Sequence, residues 1–252
     1  MTVLTRAKTG VAVAEYILSL LFDGTLRSGD RIDLDGIAAT LGVSRAPVRE
    51  ALLQLERDGL VEIPHYRGAF VAPFDADTIR EAFQLYGMLS ALTASRAAAM
   101  GDPAMLTALG ELIDALADCH QVEEFERTAR EFRKVVNLAT AGPHLRALLR
   151  SFNGLVPAAA RFSIEEAMED ERAALRREYD ALVAGDAEEA AAAAFDHVMM
   201  TGENAIRALQ RRGVFSADAA VRRDDNDRAR ILGIVRDGRR RRARQPKVTG
   251  HE

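Results

Sequence analysis

The 252-residue chain predicts a mostly α protein, an N-terminal winged helix-turn-helix followed by an all-α bundle of six or seven helices. Three observations carry that expectation. Apolar residues recur at helical spacing in three short segments before residue 58. Two β-prone runs then flank the glycine-containing turn Pro64-His65-Tyr66-Arg67-Gly68. From about Asp75 to Arg212, Ala, Leu, Glu and Arg dominate and β-branched runs are few, which favours helix.

The elements follow in order. Val11 to Phe22 reads as an amphipathic first helix with Val11, Ala14, Ile17, Leu18 and Leu21 toward the core. Leu34 to Leu41 is a short second helix whose Leu34, Ile37, Ala38 and Leu41 face one way, running into a Gly42-Val43 turn. Ser44 is placed to cap a third helix, in which Val48, Ala51, Leu52 and Leu55 form one buried face. Pro47 costs little in its first turn, where backbone N–H groups have no intrahelical partner. Arg45 and Arg49 lie four apart on the exposed side of that turn. A capped helix that shows two arginines off its buried face has the layout of a recognition helix entering a DNA major groove. Leu60 to Ile63 and Ala69 to Val71 then make a hairpin with a basic tip, a wing.

Beyond Pro73 the chain changes character, and Asp75 or Asp77 is a suitable N-cap for the next helix. Breaks fall at Gly101-Asp102-Pro103, His120-Gln121, Gly142-Pro143, Gly154 to Pro157 and Gly185-Asp186. The expected organisation is a winged helix over 1–74, an all-α effector-binding and dimerisation domain over 75–213, and a charged tail over 214–252. From Arg236 to Lys247 the tail is strongly basic, reading as a disordered segment. It is either simply solvated or an auxiliary arm for phosphates.

Composition sets bounds. The single Cys119 excludes a disulfide framework and suits a reducing cytoplasm; it reads as a core thiol in an apolar helix. Glu15 interrupts the first apolar run, so no signal peptide is read there, and no uncharged stretch approaches a membrane span. The isoelectric point near 5.8 argues weakly against DNA binding, but a local basic face is compatible with acid elsewhere. No nucleophile–base pair and no Gly-rich phosphate loop is seen, so an enzyme is not expected.

Val43-Ser44-Arg45-Ala46-Pro47-Val48-Arg49-Glu50-Ala51-Leu52 closely resembles the signature of GntR-type transcriptional regulators, with Ala46 in place of the usual Thr. Asp58-Gly59-Leu60 and Gly68-Ala69-Phe70-Val71 resemble that family's wing. The bundle resembles the FCD effector domain of its FadR-like branch, through Gly185-Asp186 and the Ala-rich helix reaching His197, and through Ala139 to Leu145. The resemblance fails at the metal. Many FCD domains hold a divalent ion with an Asp and three His, and here Ala129, Arg133 and Leu175 stand at three of those positions; only His197 survives. One His cannot hold a zinc-type ion, so no metal and no other cofactor is expected. Tyr86 to Ser90 also replaces the family's R-x-x-L-E stretch.

The resemblance and the residues together imply a sequence-specific regulator, a repressor acting on double-stranded DNA at a near-palindromic operator as a homodimer, with half-sites about 34 Å apart or closer. Arg45 and Arg49 would meet base edges or adjacent phosphates, Ser44 and Arg31 a phosphate, and His65, Arg67 and Gly68 the minor groove. Tyr86, Arg133 and His197 are the candidate effector contacts. Arg133 either snorkels or pairs with a Glu, or meets an anionic ligand such as a carboxylate or a phosphate-bearing metabolite. An acyl-CoA, as in the FadR protein, is one class the resemblance makes available, beside sugar acids and amino acids. His197 is either a polar residue capped by a neighbour or a ligand contact. The competing class is an architectural DNA-binding protein with no effector, which a solidly packed bundle would favour.

Overall fold

The computed structural model describes residues 3–215. In chain order it contains α1 (Val3–Phe22), β1 (Arg31–Ile32), α2 (Leu34–Leu41), α3 (Arg45–Arg57), β2 (Val61–Glu62) and β3 (Ala69–Val71). The bundle follows with α4 (Ala76–Met100), α5 (Pro103–Ala117), α6 (Val122–Thr140), α7 (Pro143–Arg150), α8 (Leu155–Val183) and α9 (Ala187–Arg211).

Local chemistry sets most helix ends. The Asp33, Asp75, Asp102 and Asp186 carboxylates accept backbone N–H groups at the starts of α2, α4, α5 and α9, satisfying donors that the helix itself leaves free. Gly42 and Gly101 end α2 and α4 in the left-handed region, at φ 63° and 59°. Ser44 occupies the N-cap position of α3, but its side chain makes no capping hydrogen bond, contrary to expectation. Cys119 is buried but lies just past α5 rather than within a helix. Around it the terminal carbonyls of α5 are capped from a distant element. The Arg172 guanidinium on α8 donates to Leu116 O, to Ala117 O at 2.9 Å and to Cys119 O at 3.0 Å.

The winged helix has three strands rather than two. The antiparallel sheet runs β1-β3-β2, with Arg31 opposite Phe70 and Val61 opposite Val71. A two-residue strand has no alternation to read, so β1 was invisible to periodicity. α3 buries Val48, Ala51, Leu52 and Leu55 as expected. On α1 Ala14, Ile17, Leu18 and Leu21 are buried as expected, but the expected Val11 is half exposed at the edge of the cavity described below and Val13 is buried instead.

The winged helix and the bundle share a core. Val13, Ile17 and Leu21 of α1 and the buried face of α3 belong to the same apolar cluster as Leu155, Val156, Ala159 and Phe162 of α8. Phe22 bridges the two parts, with its ring 5.3 Å from Phe162 and 5.4 Å from Phe74. Within the bundle α4 and α9 interlock through glycines: a Cβ at Gly202 would stand 2.7 Å from the Phe83 ring, and one at Gly87 3.1 Å from the Phe195 ring. α8 breaks at Ala167 (φ −142°, ψ 43°), with neither proline nor glycine there. Its first half therefore packs against the winged helix and its second half against α5, α6 and α9.

Phe215 packs on Phe74 at 5.4 Å, so ordered packing runs two residues past the expected end of the bundle at 213. The rest of the expected tail, including Arg239 to Arg242, lies outside the described residues.

Candidate DNA interface and helical cavity

At the front of the winged helix the fold gathers Arg31 from β1, Asp33 and Asp35 from the start of α2, Arg45 and Arg49 from α3, and Gly68 from the wing around a cleft of about 330 Å3. Arg31 lies across Gly68: a Cβ at that glycine, whose φ is 98°, would meet Arg31 Nε at 3.3 Å. The β1–β3 pairing is what brings Arg31 to the wing. Arg49 is exposed and has no ion-pair partner among the described residues. Arg45 is exposed but held, with Nε donating to Asp35 Oδ1 at 2.5 Å and Nη2 to Asp35 Oδ2 at 2.7 Å. On the wing, His65 and Arg67 are exposed as expected. Between them Tyr66 is fully exposed at φ 62°, its ring 5.1 Å from His65. Asp35 and Tyr66 were missed from sequence. The one signal was an aromatic at the wing tip; nothing local pointed from Asp35 to a partner ten residues on.

Behind the winged helix, α4, α6, α7, α8 and α9 surround a cavity of about 520 Å3, and Tyr86, Arg133 and His197 all line it. The structure thus brings the three candidate effector contacts together. Of the alternatives open for Arg133, pairing with a Glu is the one the structure contains. Its two Nη groups donate to Glu178 Oε1 at 2.8 Å and Oε2 at 2.5 Å, a two-pronged buried pair. His197 Nε2 lies 2.9 Å from Glu171 Oε2, and its Nδ1 is 3.9 Å from Glu178 Oε2 with no hydrogen bond. Ser163 and Thr201 hydroxyls also donate to Glu171, at 2.5 and 3.1 Å.

The electrostatics follow from that network. Burial pushes Glu178 up, but the Arg133 guanidinium and His197 outweigh it and hold the carboxyl below its usual range. Burial pushes His197 down, and the Glu171 and Glu178 carboxylates more than reverse it. Burial pushes the Tyr86 phenol up. With His197 charged the floor carries two cations against two anions. Toward solvent the lining adds Arg146 and Arg150 of α7, which are exposed and have no carboxylate partner among the described residues, whereas Lys134 is paired with Glu131 at 2.9 Å and Arg130 with Glu126.

Residues 9–71 match the family described as bacterial regulatory proteins, gntR family. The uncharacterised HTH-type transcriptional regulator Rv0043c of Mycobacterium tuberculosis is 37% identical over 202 residues, covering 80% of this chain and 83% of its own. The chain belongs to the GntR family. It is a DNA-binding transcriptional regulator, and its relatives are regulators rather than enzymes. The gluconate operon transcriptional repressor of Bacillus subtilis is 35% identical over 88 residues, 32% of this chain and 36% of its own. The solved structure of E. coli McbR/YncC superposes with a TM-score of 0.59 at 20% identity, covering 81% of this chain and 98% of that one, which shows a common fold.

A divalent metal of the FCD kind does not fit this GntR-family cavity. Leu175 is buried at one position where the FCD resemblance implies a ligand, and Arg133 stands at another, paired with Glu178. Among the described residues no three His, Cys, Asp or Glu side chains converge to hold an ion.

Proposed function

We propose that this GntR-family regulator is of the FadR-like branch with an FCD effector domain, and that it represses transcription as a homodimer on a near-palindromic operator until a small anionic metabolite enters the cavity. Arg49, Arg45 and Arg31 supply the groove and phosphate contacts, with backbone N–H groups at the start of α3 and with the wing residues His65, Arg67 and Gly68. One observation supports effector control above the others. Phe83, Val156 and Val198 line the cavity and are also members of the core shared with α1 and α3. A ligand that shifts them repacks the surface on which the winged helix rests. Only a ligand with different affinity for two arrangements moves the equilibrium between them.

The Arg133 and His197 groups of the floor already face the Glu178 and Glu171 carboxylates, so the ligand's anionic group belongs at the exposed edge with Arg146 and Arg150, and its apolar part inside. No metal takes part. The open volume disfavours the architectural reading, for which a filled bundle would be expected.

Two experiments test this. Selection from a randomised duplex library yields the operator. A thermal-shift screen of carboxylates and acyl-CoAs then identifies ligands, whose addition should release the operator. Binders that raise the melting temperature without changing operator affinity would overturn effector control. Failure of every anion to bind would overturn the ligand class.

A further inference from the structure

We propose that Asp35 is a positioning residue for operator readout: its carboxylate grips the side of the Arg45 guanidinium and aims the end of that group at a guanine. The inference rests on the DNA-binding reading above and adds a specificity role for a residue outside the contact set.

The geometry carries it. Asp35 lies in the first turn of α2, and Arg45 is the first residue of α3. Nε and Nη2 of Arg45 engage the two carboxylate oxygens at 2.5 and 2.7 Å, a side-on fork. A guanidinium has five N–H groups. The fork uses two of them, and of the three that remain, one on each Nη points outward along the axis of the group. That outward pair matches the O6 and N7 acceptors of guanine in the major groove. Arg45 would otherwise enter the groove from many rotamers and lose that freedom on binding.

The carboxylate also has a cost in place. It is a negative charge on the surface that approaches phosphates, so it weakens sequence-independent binding. Stability does not explain it. The two side chains are 64% and 63% exposed, and ion pairs so exposed contribute little to folding. Arg49, in the same cleft, has no such partner among the described residues. A group that lowers affinity for all DNA while sharpening one contact is a specificity device.

The test uses the full chain as wild type, Asp35→Ala, Arg45→Ala and the double variant. The operator comes from selection on a randomised 30-base-pair duplex library, and each single-base variant of it is then titrated across a salt series. Asp35→Ala should bind random duplex several-fold more tightly, while discrimination at one base pair of each half-site falls about tenfold. Arg45→Ala should lose discrimination at that same base pair, and the double variant should lose no more. Two results overturn the proposal. In one, Asp35→Ala keeps wild-type discrimination at every position, and the pair is then a surface ion pair only. In the other, it loses discrimination at a base pair that Arg45→Ala leaves intact, and the carboxylate then reads that base itself. Wild-type protein that enriches no sequence would overturn the DNA-binding reading and this proposal with it.

Discussion

Replacing Arg133 with Met should destabilise the protein more than any surface substitution, because it strands Glu178. The Glu178 side chain is fully buried and that of Arg133 is 10% exposed, so the pair is desolvated on both sides. Removing one member of such a pair leaves an uncompensated buried charge, at a cost of about 3–5 kcal/mol. His197 Nδ1, 3.9 Å from Glu178 Oε2, can draw closer, which favours the lower end of that range. At about 2–4 °C per kcal/mol for a chain of this size, the melting midpoint should fall by roughly 6–12 °C at pH 7. The double variant Arg133→Met with Glu178→Leu should recover most of that loss, since a buried pair exchanged for apolar groups is often neutral.

The pH dependence gives an independent check. In the wild type Glu178 is held below its ordinary value, so its contribution is complete above the unfolded value and is lost on acidification. Without Arg133, burial pushes Glu178 above its ordinary value, and stability should instead rise as pH falls from 8 toward 5. Thermal melts of the three proteins across pH decide the matter. A single variant within 1 kcal/mol of wild type, or a double variant no better than the single, would refute the argument.

Three further expectations follow from the geometry. Burial raises the Asp58 carboxyl from 3.8 to about 6, with Arg57 opposing, and its Oδ2 has no hydrogen-bond partner; it faces Gly154 at the start of α8. The folded value exceeds the unfolded one, so stability grows as pH falls through 6, and the charge costs at most roughly 3 kcal/mol at pH 7. Discounted for half exposure, Asp58→Asn should stabilise by about 1–2 kcal/mol at pH 7 and by nothing at pH 4; equal melts at pH 7 would count against it. Gly202→Ala puts a methyl 2.7 Å from Phe83 Cγ and should cost about 1–3 kcal/mol in denaturant melts, an expectation that an unchanged midpoint defeats. Tyr66→Gly relieves a left-handed backbone and should raise stability slightly while weakening operator binding severalfold; unchanged binding would remove Tyr66 from the interface.

Much of this protein was legible from adjacent residues. The buried face of α3, the span of α2, the wing and the breaks between bundle helices all rest on caps, turn residues and apolar period, which act over a few positions. The family resemblance lay in the same short stretch around Arg45 and Arg49. Where periodicity was the only guide it slipped at the edge of a face, as with Val11 in place of Val13. The expectation that no metal binds likewise came from residue identity, with Ala129, Arg133 and Leu175 standing where the FCD resemblance implies ligands.

Only the tertiary structure decided what the charges do. Arg133 meets Glu178 across 45 residues and His197 meets Glu171 across 26, and no local pattern distinguishes those carboxylates from the many others in the bundle. β1, which carries Arg31 to the wing, exists only because β3 offers it a ladder. The partner of a buried ion is chosen by how helices pack, and packing depends on contacts between residues that the chain keeps far apart.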